Sequence, residues 1–303
     1  MKANKASSTA LFISRSIAYS SKNPELKYFV PEKAKEINEK FLKTAFGWKS
    51  IVFKNSGRFL FSRLLMQAFE NTVAPGFNLY FLLRKKKIEE IILTNNLFSG
   101  TEQIVILGAG ADSLGLRISE EIQSVNVFEI DHPETQKVKQ RMLENYQKEN
   151  RDNLFLIPVD LAQKKLHTVL ENLKNFSFDK KTIFLAEGLF MYLPLDIVQE
   201  NLKIMNNFPK NKASFIFTYL IPDKNGKPFF SSQAFLSNIF LKLNKEPLIW
   251  SLNPDEIDSL LQSLKFSPGE HTNGENLKKY YVKDQKQHKL KIPSGEYITW
   301  ATN

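Results

Sequence analysis

The 303-residue chain contains no cysteine. Disulfides, thiolate zinc sites, iron–sulfur clusters and cysteine nucleophiles are excluded together, and the composition suits a reducing compartment. The four histidines, His132, His167, His271 and His288, are scattered and form no H-x-x-x-H pair. No histidine metal site is expected. Long apolar runs are missing as well. Nothing approaches the ~18 residues of a membrane span. The short apolar stretch in "MKANKASSTALFISRSIAYSS" is cut by Arg15, unlike a signal peptide. A cytoplasmic protein with no membrane partner is expected. Internal repeats and low-complexity segments are absent too.

Acidic residues are outnumbered, 32 against 42 Lys and Arg, giving a net charge of +10. Nucleic acid, a membrane surface or an anionic substrate would each suit that excess, but most of it is dispersed lysine, which reads as solvated helix surface. The one tight run, "RKKK" from Arg84 to Lys87, comes with no nucleic-acid motif. What the chain has in excess is phenylalanine, with 25 copies. They are expected in the core and in a pocket lining.

The first hundred residues read as helical. "PEKAKEINEKFLKTAF" and "NLYFLLRKKKIEEIILTNNLFSG" carry apolar residues at helical spacing. Past residue 100, short β-rich runs alternate with helical ones. Five strands are predicted in "QIVILG", "SVNVFEID", "NLFLIPVD", "KTIFLAEGLFMYL" and "ASFIFTYLIP". Helical runs over 133–149, 162–176, 194–208 and 253–266 follow or separate them, and "GEYITWA" alternates like a last strand. This texture predicts βαβ units and an α/β, doubly wound, mostly parallel sheet. The division expected is a helical N-terminal cap over 1–100 and an α/β core over 101–303. Residues 222–250 hold an aromatic, amphipathic helical run, which suits either a lid over the sheet edge or an insertion packed on the core.

In such a sheet, ligands bind outside the carboxyl ends of the strands. The first strand ends in "GAGADSLG", where Gly108 and Gly110 permit a tight turn and a close ligand approach. A phosphate-binding Walker loop would need Lys where Leu116 stands. A dinucleotide fingerprint would need glycine where Ser113 stands. The second strand ends in "FEID". Glu129 and Asp131 stand there, and an acidic side chain at this strand end can accept both ribose hydroxyls of an adenosine, so only one of the two is needed. At the third strand end, Asp160 and Leu161 are placed to read an adenine. The fourth ends at Glu187, with Tyr192 beyond it. Glycine or acid at four consecutive strand ends points to one adenosine-containing ligand.

"QIVILGAGADSLGLRI", "FEIDHPETQKVK", "VDL" and "AEGLFMYL", in this order and spacing, resemble the leucine carboxyl methyltransferase family. The resemblance runs from about Thr9 to Leu193, and the last third fits in outline. It implies a Rossmann-like class I methyltransferase sheet with an antiparallel strand near the C-terminus, and S-adenosyl-L-methionine as cofactor. It also implies roles. Gly108 and Gly110 would line the methionyl part, Asp131 would hold the ribose, and Asp160 and Leu161 would read the adenine. Glu187 would lie near the methionine amino group. Arg84, in "Y-x-x-x-R", would pair with the cofactor carboxylate, with Arg15 nearby in the same basic pocket.

Methyl transfer from a sulfonium is an in-line displacement, and a carboxylate acceptor with a pKa of ~4 needs no base. No His or Asp stands out as a base, and Tyr192 is left as a residue that could orient an acceptor oxygen. The expected reaction is O-methylation of a carboxylate or hydroxyl on a small molecule. The family also contains enzymes for a protein C-terminal carboxylate and for tRNA bases. An NAD-dependent oxidoreductase and a methyltransferase-like binding module without catalysis are the alternatives.

Overall fold

The computed structural model describes residues 8–50, 61, 64, 68, 75–95, 99–146, 152–161, 163–230, 247–283 and 289–303. The N-terminal part supplies helices α1 (Ser8–Ser20), α2 (Glu32–Phe46) and α3 (Phe77–Thr94). Pro31 precedes α2 and Glu32 lies in its first turn, where an acid suits the helix dipole. Gly47, at φ 58°, follows its last turn. Helix α3 is buried on more than one side: Leu79, Tyr80, Phe81, Leu82, Leu83 and Arg84 are all inside. Such a helix lies in a core rather than on one. Ser16 of α1 donates a hydrogen bond to Asn78 of α3 and ties the two together.

The remainder alternates: β1 (Gln103–Leu107), α4 (Leu114–Glu121), β2 (Asn126–Asp131), α5 (Pro133–Tyr146), β3 (Leu154–Pro158), α6 (Leu166–Glu171), β4 (Thr182–Ala186), α7 (Leu195–Leu202) and β5 (Ala213–Pro222). After these come β6 (Pro228–Phe229), α8 (Pro254–Ser263), β7 (Ser267–Pro268), β8 (Thr272–Asn273), α9 (Gly274–Tyr281) and β9 (Glu296–Thr302). The sheet runs β3-β2-β1-β4-β5-β9-β7. Strands β1 to β5 pair in parallel, and β9 lies antiparallel to β5 with Tyr219 opposite Tyr297. The expected α/β class and the antiparallel C-terminal strand are both present. The order reverses between β1 and β4, which places the ligand crevice at their carboxyl ends.

Side-chain alternation divides the core. On one face, Phe128, Phe184, Phe215, Phe217 and Tyr219 meet α6, α7 and α8. On the other, Ile104, Ile106, Val127, Ile183 and Ile216 meet α3 and α4. The phenylalanines are thus mainly core, each fully buried ring contributing ~1.5–3 kcal/mol. Helix α3 is a wall of the same core as the sheet.

Three local expectations change. Of the helical run expected over 162–176, the described residues 163–176 form a helix only over Leu166–Glu171, with Asn172 at its end donating its side-chain amide to the Thr168 carbonyl, 2.6 Å away. The run over 194–208 divides into α7 and a 3-10 turn, Lys203–Asn207. Strands β6, β7 and β8 have two residues each, too short to leave a periodicity. Of the 222–250 stretch proposed as a lid, residues 231–246 lie outside the described residues. Just after residue 246, Ile249 N–H bonds to the Met191 carbonyl at 2.9 Å and Leu252 N–H to that of Leu220 at 3.0 Å, so this segment lies beside the loop after β4 and the end of β5.

Candidate functional site

The turn after β1 is built from its backbone outward. Gly108 and Gly110 adopt φ values of 64° and 54°, a region L side chains rarely occupy. Gly108 N–H bonds to the Ile130 carbonyl at 2.8 Å, which draws the turn onto β2. A Cβ on Gly108 would come 3.0 Å from Leu189 Cδ1. The glycine therefore also makes room for Leu189, a neighbour the sequence did not indicate. Gly110 N–H donates to Asp131 Oδ2 and His132 N–H to Asp131 Oδ1. The Asp131 carboxylate is thereby aimed by two backbone donors. Burial pushes its pKa up, opposed by those two hydrogen bonds and by the charge of Lys139.

The four strand ends open into one cavity of about 310 Å³. That lies within the ~300–1,000 Å³ span of small-molecule sites. Gly108, Gly110, Asp131, Asp160, Leu161, Glu187, Arg84 and Tyr192 all line it. Eight of the ten residues singled out from sequence are thus brought together. Arg15 and Glu129 are not among the lining residues. Arg15 lies with its guanidinium 4.6 Å from the centre of the Phe46 ring, on α2, while Ile13, two residues earlier, reaches the cavity. Glu129 faces the same side of β2 as Asp131 but one pleat deeper, where it pairs with Lys139.

A ladder of charges forms one wall. Arg84 is 5% exposed. Its Nε donates to Glu187 Oε1 at 2.9 Å, and its Nη1 donates to both oxygens of Glu296, at 2.7 and 2.9 Å. Lys85 Nζ then bridges Glu187 Oε2 at 3.1 Å and Asp112 Oδ2 at 2.6 Å. Burial disfavours the Arg84 charge, but Glu296 and Glu187 outweigh it and hold the guanidinium protonated. Burial would likewise raise the Asp112 carboxyl, yet Lys85, with Lys139 and Arg117 behind it, brings its pKa down to about 2.

Sequence reasoning missed Lys85, Asp112 and Glu296 as parts of this wall. A signal existed for Asp112, which lies two residues past Gly110 in the turn. For Glu296 there was none, since it joins Arg84 from 212 residues away. The cavity wall counts four carboxylates, Asp112, Asp131, Asp160 and Glu187, against two cations, Arg84 and Lys85. In a chain of net charge +10, the cavity is locally acidic. Its chemistry therefore favours a ligand with positive charge and hydroxyl or amino donors. Among the described residues no group of His, Asp and Glu has the geometry to hold a metal ion, and no helix is long and apolar enough to cross a membrane.

Comparison with known proteins agrees with this geometry. The model of the leucine carboxyl methyltransferase family matches residues 28–205. The chain is 26% identical over 219 residues, 69% of its own length and 68% of the other's, to the provisionally named S-adenosyl-L-methionine-dependent methyltransferase YktD of Bacillus subtilis (strain 168). It is 40% identical over 98 residues, 32% of this chain and 27% of the other, to a protein of the same description from Mycobacterium tuberculosis (strain ATCC 25177 / H37Ra). A solved methyltransferase structure from Thermobifida fusca YX shares the fold, with a TM-score of 0.55 and 14% identity over 88% of this chain and 94% of that one. These matches set aside the oxidoreductase reading, which Ser113 already opposed. The chain belongs to the leucine carboxyl methyltransferase family and is an S-adenosyl-L-methionine-dependent methyltransferase.

Proposed function

We propose that the protein methylates an oxygen, carboxylate or hydroxyl, of a small-molecule acceptor, with the cofactor held along the ends of β1 to β4. The observation that carries this reading is the mixed lining of the cavity. Beside the acids at the strand ends, the lining includes apolar side chains, Ile13, Leu189, Leu193 and Pro247, and Tyr192. Such a lining suits a compact acceptor better than a nucleic-acid strand.

The residues fit the cofactor. Asp131, pre-aimed by two backbone donors, is the ribose acceptor. Asp160 and Leu161 flank the adenine, and Gly108 and Gly110 leave room for the methionyl chain. Glu187 accepts from the amino group, and Arg84 and Lys85 are the cations available to the carboxylate. When bound, the cofactor supplies an activated methyl group on a sulfonium. The protein's own part is to bind, orient and exclude water. The acidic residues of the lining favour binding of the cofactor's positively charged groups.

Proton handling favours a carboxylate acceptor over a hydroxyl. His132 lines the cavity, but its Nδ1 accepts from Glu134 N–H at 3.3 Å. That nitrogen is thus already engaged by the backbone. A carboxylate needs no base. The test is transfer of labelled methyl from S-adenosyl-L-methionine to panels of small carboxylic acids, phenols, peptides and RNA. Alkali-labile label in a small acid is the expected result. Label entering only peptide or RNA would overturn the small-molecule reading.

A further inference from the structure

Lys139, in the second turn of α5, is a charged side chain with 0% exposure in a part of the molecule to which the reaction assigns nothing. It pairs with the carboxylate of Glu129, 1% exposed, on β2. Its Nζ also donates to the backbone carbonyl of Asp112 at 2.6 Å. Gly115, at the start of α4, completes the niche, because a Cβ there would overlap Glu129 Oε1. An ion pair removed from water carries a desolvation cost of several kcal/mol per ion, and apolar residues of similar volume often stabilise as well or better. The pair is therefore an expensive way merely to fill space. What sets it apart is its third partner, the carbonyl at the end of the glycine turn.

We propose that Lys139 is a positioning residue of the cofactor site. Anchored by Glu129, it fixes the 108–113 turn through the Asp112 carbonyl, and through that turn it sets the Gly110 N–H that aims Asp131. The route is short and continuous: Lys139 Nζ to Asp112 O, the turn, Gly110 N, Asp131 Oδ2. The same ammonium acts on two cavity carboxylates by charge, lowering the pKa of both Asp112 and Asp131 against the burial that raises them. Other titratable groups near Asp131 are His132 and Glu129 on its own strand. Asp112 in the turn and Asp160 after β3 line the same cavity. Lys139 faces Asp131 as the one full cation of this set. The inference rests on the reading that this cavity holds S-adenosyl-L-methionine.

The test replaces the pair together, Glu129→Leu with Lys139→Met, so that no lone charge is left buried. Circular dichroism and thermal melting check the fold, and calorimetry measures S-adenosyl-L-methionine binding. The expected outcome is a folded protein that binds about ten- to a hundredfold more weakly, the scale of a small misplacement in a preorganised site. A second readout is the pH dependence of binding. Affinity falls as pH drops through the Asp131 titration, and loss of the Lys139 charge moves that midpoint to higher pH, less the part that loss of the Glu129 charge offsets. If the double variant does not fold, Glu129→Gln with Lys139→Gln takes its place, with the same two readouts. A folded pair variant with wild-type affinity and wild-type pH midpoint would overturn the proposal. Asp131→Ala is the separate control: unchanged binding there would overturn the cavity assignment itself.

Discussion

Four consecutive cations on α3 meet two different environments. Arg84 and Lys85 turn inward and are held by Glu187, Glu296 and Asp112. Lys86 and Lys87 turn outward, resting their ammonium groups over the rings of Tyr281 and Tyr280, 4.8 and 5.4 Å from the centroids. Helix α5 repeats the contrast with identical residue types: Lys137 is 59% exposed beside Glu134, whereas Lys139 is fully buried on Glu129. Charge alone thus says little about what a residue does. An exposed pair is worth ~0–1 kcal/mol, while removing one partner of a buried pair costs ~3–5 kcal/mol, because it strands the other.

Breaking the inner group should have the largest effect. Arg84→Ala strands Glu296 without its cation and leaves Glu187 with Lys85 alone, and is expected to cost ~3–5 kcal/mol in denaturant unfolding along with cofactor binding. Arg84→Lys should recover little, since one ammonium cannot reproduce a fork that spans two carboxylates. Next comes Gly108→Val. It forces a branched residue to a φ of 64° against Leu189, a strain of ~1–3 kcal/mol, and is expected to abolish cofactor binding in calorimetry. Asp131→Ala removes one charge-assisted hydrogen-bonding partner and should weaken binding by ~1–3 kcal/mol with the melting temperature little changed. A smaller effect separates Asp112 from ordinary carboxylates. Its pKa is depressed to about 2, so its contribution to stability is complete above the unfolded value and is lost only as pH falls through about 2. A carboxyl-resolved NMR titration showing Asp112 protonating near pH 4 would contradict the Lys85 pairing. Lys86→Ala should be the mildest, within ~0.5 kcal/mol in stability and silent in binding. Equal losses at Arg84 and Lys86 would erase the contrast and point to a diffuse basic patch.

The sequence made the parallel strands legible because each is a short apolar run that stops on glycine or acid, as Leu107 stops at Gly108 and Ala186 at Glu187. The same punctuation located the cavity. It failed where function depends on partners distant along the chain. No pattern around Lys139 distinguishes it from Lys137, and Glu296 sits in an alternating strand where an acid ordinarily faces water. Glu129 and Asp131, both acids near the end of one strand, could not be told apart by pattern alone; only Asp131 lines the cavity, while Glu129 lies one pleat deeper.

The pairing of Arg84 with Glu296 also orders events during synthesis. The two residues are 212 positions apart. At 5–20 residues per second, roughly 10–40 s separate their appearance on a growing chain. In that interval β1 to β5 can assemble, but the inner guanidinium has only Glu187 to meet it, and β5 has an open edge. Arrival of β9 closes that edge and neutralises the guanidinium in one step. Until β9 is made, the Arg84 guanidinium lacks its Glu296 partner and β5 lacks its β9 partner.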